Sequence, residues 1–204
     1  MGIESGFSHR DEKVRQPEIE VGTEKRPEKH EKVFKPSQIR IVQLGQNDWE
    51  ILRELKLRSL GQEPIAFEDQ ETGLKRYSAR SEEEWRRKLD EEASSTISLF
   101  ADDNGRYIGT VNAILELDEK KALVQHMYVD PEGNRGKGIG RKLLTTLIDK
   151  LKERVDIEKA ELAVVETQRP ARLLYESLGF KEIRRVRTRR GNEIFTEIEM
   201  ELEL

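Results

Sequence analysis

There is no cysteine among the 204 residues. That excludes disulfides, thiolate metal ligands and a cysteine nucleophile, and it fits a reducing compartment. No apolar run approaches the length needed to span a bilayer. The N-terminus lacks the apolar core of a secretory signal, so a cytoplasmic location is expected. Neither sign of charge dominates: 37 Lys and Arg stand against 41 Asp and Glu, a net charge of -4. Bulk attraction to nucleic acid or to anionic membranes is therefore not expected. What is there is polar, 38% charged and 35% hydrophobic. Such a chain buries a core only if its polar residues are concentrated in one part.

They are concentrated at the start. Over residues 1–35, Ile3, Phe7, Val14, Ile19 and Val21 are scattered without a period, and Pro17 and Pro27 break any long helix. This stretch reads as a flexible charged tail. One folded domain is expected over residues 36–204. Ile39 to Val42 alternates like a short strand, and Asn47-Asp48 can cap a helix over 49–60 that ends at Gly61. Ser81, with Glu84 three residues on, opens a second helix through Trp85 and Leu89. A hairpin follows, with strands over 96–101 and 107–117 about the turn Asp103-Asn104-Gly105. A strand over 122–129 leads through a glycine-rich loop into a helix over 138–155. Residues 160–165 read as a strand buried on both faces. A helix from Pro170 to Leu178 is capped by Gly179, and strands over 180–188 and 193–202 flank a turn at Gly191-Asn192. The order β-α-α-β-β-β-α-β-α-β-β predicts an α/β fold, a mixed central sheet with helices on both faces.

Residues 129–140 read Val-Asp-Pro-Glu-Gly-Asn-Arg-Gly-Lys-Gly-Ile-Gly. Gly136, Gly138 and Gly140 leave backbone N–H groups unshielded, able to converge on an anion. The following helix presents its positive dipole end there, and Arg135 and Lys137 add charge. A P-loop needs Lys then Ser or Thr after its last glycine, but Ile139 follows Gly138. The dinucleotide fingerprint needs two residues between its later glycines, and this loop has only Ile139. Neither fits.

The loop does resemble the Gln/Arg-x-x-Gly-x-Gly/Ala signature of the GNAT superfamily of N-acetyltransferases, matched by Arg135, Gly138 and Gly140. A second motif of that family, Asn-x-x-Ala-x-x-Leu-Tyr-x-x-x-Gly-Phe, is matched by Ala171, Leu174, Tyr175, Gly179 and Phe180, with Gln168 in place of the Asn. The resemblance spans about residues 36–204. It implies the GNAT fold, in which acetyl-CoA lies between two splayed parallel strands, here 122–129 and 160–165. It implies that Arg135, Gly136, Lys137, Gly138, Ile139 and Gly140 hold the CoA pyrophosphate. Met127, Tyr128 and Val129 would then offer backbone contacts to pantetheine. A backbone N–H near Met127 would polarise the thioester carbonyl, and Gln168 would contact the cofactor with an altered reach.

Tyr175 is then the candidate acid for the leaving thiolate, since a phenol near pKa 10 can hand a proton to a thiolate whose thiol has a pKa of about 8.5. Its alternative is a half-buried aromatic on a core helix. Without cysteine, the amine attacks the thioester directly. Glu116, His126 and Glu166 are candidate bases; each is equally readable as a structural residue. The implied reaction moves an acetyl group from acetyl-CoA to a primary amine on a small molecule or peptide. No metal, nucleic acid or membrane is expected, and a homodimer is allowed. Histone-type members carry a glutamate on the cofactor strand, which residues 122–129 lack. Ribosomal-protein members carry a Leu-Glu-Val-like core where this chain has Leu162-Ala163-Val164. A small amine is thereby favoured. The 67–80 segment falls where the family builds one wall of its acceptor pocket, and its acids Glu68, Asp69 and Glu71 would attract a cationic amine there; with Lys75 and Arg76 beside them it reads equally as a solvated loop. The run Arg184, Arg185, Arg187, Arg189 and Arg190 reads as a solvated strand face, because no series of stacking aromatics accompanies it. The rival reading is a non-catalytic acyl-CoA-binding module.

Overall fold

The computed structural model describes residues 39–63, 70–132, 134–190 and 193–204. The expected tail over 1–35, the acids Glu68 and Asp69 and the turn at Gly191-Asn192 lie outside these residues.

Among the described residues seven strands form one sheet in the order β1-β2-β3-β4-β5-β7-β6. They are β1 (Arg40–Val42), β2 (Thr96–Asp103), β3 (Arg106–Glu116), β4 (Lys121–Val129), β5 (Lys159–Val165), β6 (Lys181–Arg190) and β7 (Glu193–Glu203). Neighbours are antiparallel except β4 and β5. The β2–β3 turn forms because Asn104 and Gly105 both take positive φ, which suits the twist of a tight hairpin.

Among the described residues five α-helices cover the sheet: α1 (Trp49–Gln62), α2 (Gln70–Ser78), α3 (Glu82–Ser95), α4 (Ile139–Lys152) and α5 (Arg169–Ser177). Alternation along β2 divides the core. Phe100 joins Leu55, Leu60, Tyr77, Trp85 and Tyr128 on the α1–α3 face. Leu99 and Ala101 join Leu143, Leu144 and Leu147 of α4 on the other face, with Tyr175 of α5. In α4, Ile139, Leu143, Leu144, Leu147, Ile148 and Leu151 are all buried, as one helical stripe requires.

Three expectations need correction. Three α-helices, not two, separate β1 from β2. The additional α2 has nine residues and contributes only Leu74 and Tyr77 to the packed apolar cluster, too few to show a period. Helix α1 continues past Gly61 to Gln62, and Asp48 is its N-cap residue but makes no side-chain cap bond to it; residues Gln46–Asp48 form a 3-10 turn in which the Asp48 carboxylate accepts from Gly45 N at 2.8 Å. Strand β5 is not buried on both faces, for Ala163 is exposed. The cause is the parting of the two parallel strands described below. The Ser81–Glu84 capping box forms, Ser81 N donating to Glu84 Oε2 at 2.7 Å and Glu84 N to Ser81 Oγ at 3.3 Å.

Candidate active site

Strands β4 and β5 pair only through Lys121–Lys159, Ala122–Ala160 and Leu123–Glu161. Beyond that point they splay, and a cavity of about 1110 Å³ opens between them. Its lining includes β4 from Leu123 to Val129 and β5 from Leu162 to Val165. A strand edge that has lost its partner offers main-chain groups to an extended ligand.

At one end lies the glycine loop. Gly136 and Gly138 have φ of +77° and +78°, and a Cβ on either would meet nothing within 4 Å. Their requirement is therefore conformational, not spatial. Gly138 is the N-cap of α4, and its carbonyl accepts from Lys142 N at 2.9 Å. Gly140 differs: its Cβ would lie 3.0 Å from Met127 Cε and 3.3 Å from Leu174 Cδ2. The third glycine lets α4 approach β4 and α5.

The loop is anchored by Asp130, which is fully buried. Its carboxylate accepts from Arg58 Nη1 at 3.1 Å, Arg106 Nη2 at 3.2 Å and Glu132 N at 2.9 Å. Burial alone would raise its pKa, but the Glu132 amide and the two guanidiniums outweigh it and hold the carboxyl below its ordinary value. Arg135 donates to Val129 O at 3.3 Å and pairs with Glu63 at the end of α1. Tyr128 is buried, donates to Gln62 and is pushed up to about 12 by burial first and then by Asp130.

Midway along β4 the register slips between Thr110–Tyr128 and Asn112–Gln125, so His126 and Met127 together oppose Val111. This is a β-bulge, which takes amides out of the ladder. His126 holds φ +54°, a left-handed conformation unusual for a side-chain-bearing residue. Gly109 accommodates the bend, since a Cβ there would sit 2.8 Å from Tyr128 O. Burial pushes the His126 pKa down to about 3, with help from Lys56 and Lys88.

Tyr175 is held by the end of α5. Phe180 N donates to Tyr175 O at 3.1 Å and Gly179 N to Glu176 O at 3.1 Å, with Gly179 at φ +97°. This is a Schellman motif, and its usual apolar contact is the edge-on pair Tyr175–Phe180 with centroids 6.0 Å apart. The Tyr-x-x-x-Gly-Phe spacing is thus a helix stop that fixes one tyrosine. Tyr175 is buried, lines the cavity and is pushed up to about 12 by burial. Its hydroxyl makes no hydrogen bond among the described residues.

The cavity therefore gathers Tyr175, His126, Met127, Tyr128, Val129, Arg135, Gly136, Gly138, Ile139, Gly140 and Gln168. Lys137 is exposed beside it and is not on the lining. Glu116 and Glu166 are not brought in either. Glu116 pairs with Lys121 at the far end of β4, and Glu166 with Arg185. Sequence reasoning did not single out Asp130, Glu63 or Lys56. An Asp-Pro step signals only a turn, and the partners of these residues lie far away in the chain. Among the described residues no group of three His, Asp or Glu is placed to hold a metal ion, and no helix is long and apolar enough to cross a membrane.

Residues 57–180 match the Acetyltransferase (GNAT) family model, more than half the chain, and the protein belongs to that family. Its fold is shared with an acetyltransferase of the GNAT family from Streptococcus pneumoniae: TM-score 0.72, 19% identity, 82% of this chain and 100% of that one. The yncA protein of Salmonella typhimurium, solved with its cofactor acetyl-CoA, gives 0.68 at 18% identity over 82% and 95%. Spermidine N-acetyltransferase of Vibrio cholerae, in complex with CoA and spermine, gives 0.64 at 19% over 81% and 95%. No curated protein matches the chain.

Proposed function

We propose that the protein transfers an acetyl group from acetyl-CoA to a primary amine by direct attack of the amine on the thioester. One observation carries this reading: a single cleft is lined by the left-handed glycines 136 and 138, the β4 bulge and Tyr175.

The cradle fits a pyrophosphate, because the two glycines leave their backbone uncovered and α4 starts directly behind them. Residues 135–140 would hold that group. The main chain of Met127, Tyr128 and Val129 would pair with the pantetheine arm, and Gln168 would add a polar contact. Acetyl-CoA supplies the thioester. A backbone N–H near Met127 would polarise its carbonyl. The amine forms the new N–C bond as the C–S bond breaks, losing its proton to water. Tyr175 keeps its proton through the neutral range and would pass it to the departing sulfur. His126 stays neutral and is too weak a base to store a proton, so it would serve as a hydrogen-bonding post on a water chain. Glu116 and Glu166 could take part only from outside the cleft.

The scarcity of bases among the described lining residues favours a second reading, a non-catalytic acyl-CoA-binding module. Thiol release from acetyl-CoA with a panel of primary amines decides between them. Turnover with an amine is expected; tight CoA binding with no turnover for any amine establishes the module instead.

A further inference from the structure

The cleft crosses the sheet. Its lining on the α4–α5 side is the glycine loop with Pro170, Ala171 and Leu174, while on the α1–α3 side it is Lys56, Leu60, Glu63, Arg76 and Tyr77. Arg189 of β6 also lines it. Met127 reaches toward Gly140 of α4, and Tyr128 packs on the α1–α3 face. At the bulge His126 lies within reach of Lys56 of α1 and Lys88 of α3, at the α1–α3 mouth of the cleft.

The described charge at that mouth is positive. Buried Tyr77 is ringed by cations, with Arg80 4.5 Å, Arg76 4.8 Å and Lys56 4.9 Å from its centroid. Lys56 and Arg76 have other contacts too; their place on the lining, not a want of partners, sets the field. Glu63 is the one acid among the described lining residues, and Arg135 engages it. Arg189 is the β6 arginine on the lining. Arg184 pairs with Glu199, and Arg185 with Glu182 and Glu166, whereas Arg187 and Arg189 have no carboxylate partner among the described residues, and of these two only Arg189 reaches the cleft.

We propose that the acceptor is an amine that also carries a carboxylate, bound at this mouth by Arg189 with Lys56 and Arg76 beside it. The inference rests on the acetyl-transfer reading and names its substrate class. A guanidinium binds a carboxylate through two parallel charge-assisted hydrogen bonds, which orients the ligand as well as holding it. The same positive field disfavours the ammonium form of the acceptor and releases its proton to water. An amine thus arrives ready to attack in a cleft whose one described carboxylate, Glu63, is held by Arg135. A polyamine would be repelled at such a mouth.

The test uses the full chain, acetyl-CoA and matched acceptors: L-alanine, L-alaninamide and spermidine. The amide has the less basic amine, so a preference for the acid does not come from ionisation. Higher kcat/KM for L-alanine is expected. Arg189→Gln should lower it about tenfold, the loss of roughly 1.4 kcal/mol, and the alanine-to-alaninamide ratio should fall with it. Calorimetry of the same ligands on CoA-loaded protein reads the mouth without chemistry. Binding of alanine but not of alaninamide, lost in Arg189→Gln, supports the proposal even if acetyl transfer itself fails. Equal binding of acid and amide, or preferred turnover of spermidine, overturns it.

Discussion

At the α4 end of the cleft the binding groups are main-chain amides, presented by glycines and by the start of a helix. At the α1–β6 end they are long side chains: Lys56, Arg76 and Arg189. A backbone site depends on dihedral angles, and no substitution at Gly136 or Gly138 preserves φ near +78° without strain. A side-chain site changes with one residue while the backbone stays in place. The donor end is therefore tied to the fold, and the acceptor end can be retuned without disturbing it.

Gly138→Asp should have the largest effect. Asp and Asn tolerate the left-handed region better than other side chains, so the Asp/Asn pair separates strain from charge. Gly138→Asn is expected to weaken CoA binding about tenfold, near the cost of one left-handed residue. Gly138→Asp should weaken it at least a hundredfold, because a carboxylate would face the pyrophosphate. Calorimetric titration with CoA measures both. Equal affinities for the two variants would remove charge from the account, and unchanged affinity would remove the loop.

Tyr175→Phe comes next and probes the middle of the cleft, where donor and acceptor meet. It should lower kcat about a hundredfold, the usual scale for a positioned acid. CoA affinity and melting temperature should stay as they are, because the ring packing is kept and the hydroxyl has no described partner. With its pKa pushed up to about 12, Tyr175 should give no falling limb in the pH–rate profile below pH 10. A kcat equal to wild type would take Tyr175 out of the mechanism.

The same contrast explains what could be read from the sequence. Three glycines within five residues between a strand and a helix form a local pattern, and so does the Schellman stop from Tyr175 to Phe180. Both were visible, as was the Ser81 capping box. The acceptor mouth is assembled from residues 56 to 189, on α1, α2 and β6, which no local pattern in the chain connects. Arg189 read as part of a solvated strand face, and Arg184 and Arg185 fit that reading through their pairs with Glu199 and Glu182. Helix α2 carried too few apolar contacts to show a period. Asp130 meets Arg58, 72 residues away, so its burial could not be inferred from its neighbours in the chain.

Asp130→Asn tests how far the donor end depends on that distant anchor. Removing the charge leaves Arg58 and Arg106 without their shared carboxylate and should cost about 2 kcal/mol at pH 7. Arg106 is largely exposed, so water compensates part of its loss. For a chain of this size the melting temperature should fall by roughly 4–8 °C. The sign with pH follows from the depressed carboxyl. Its contribution is fully present above the unfolded value of about 4 and is lost as pH falls through the lower folded value. Melts of both proteins should therefore converge in acid. A gap that persists at the lowest pH would mean that Asp130 acts through packing alone.

The smallest effect is expected at Gly140, and it separates the glycines of one loop from each other. Gly140→Ala places a methyl 3.0 Å from Met127 Cε and 3.3 Å from Leu174 Cδ2, both ends of flexible side chains. Against that crowding stands the gain of alanine over glycine inside a helix, about 1 kcal/mol. The two offset, so the melting temperature should move by less than about 2 °C and CoA affinity by less than about threefold. Gly136→Ala makes the opposite demand, with open space but φ +77°, and should cost about 1–2 kcal/mol. If Gly140→Ala proves the worse of the two in paired melts and CoA titrations, close packing of α4 against β4 and α5, not backbone conformation, governs the donor end.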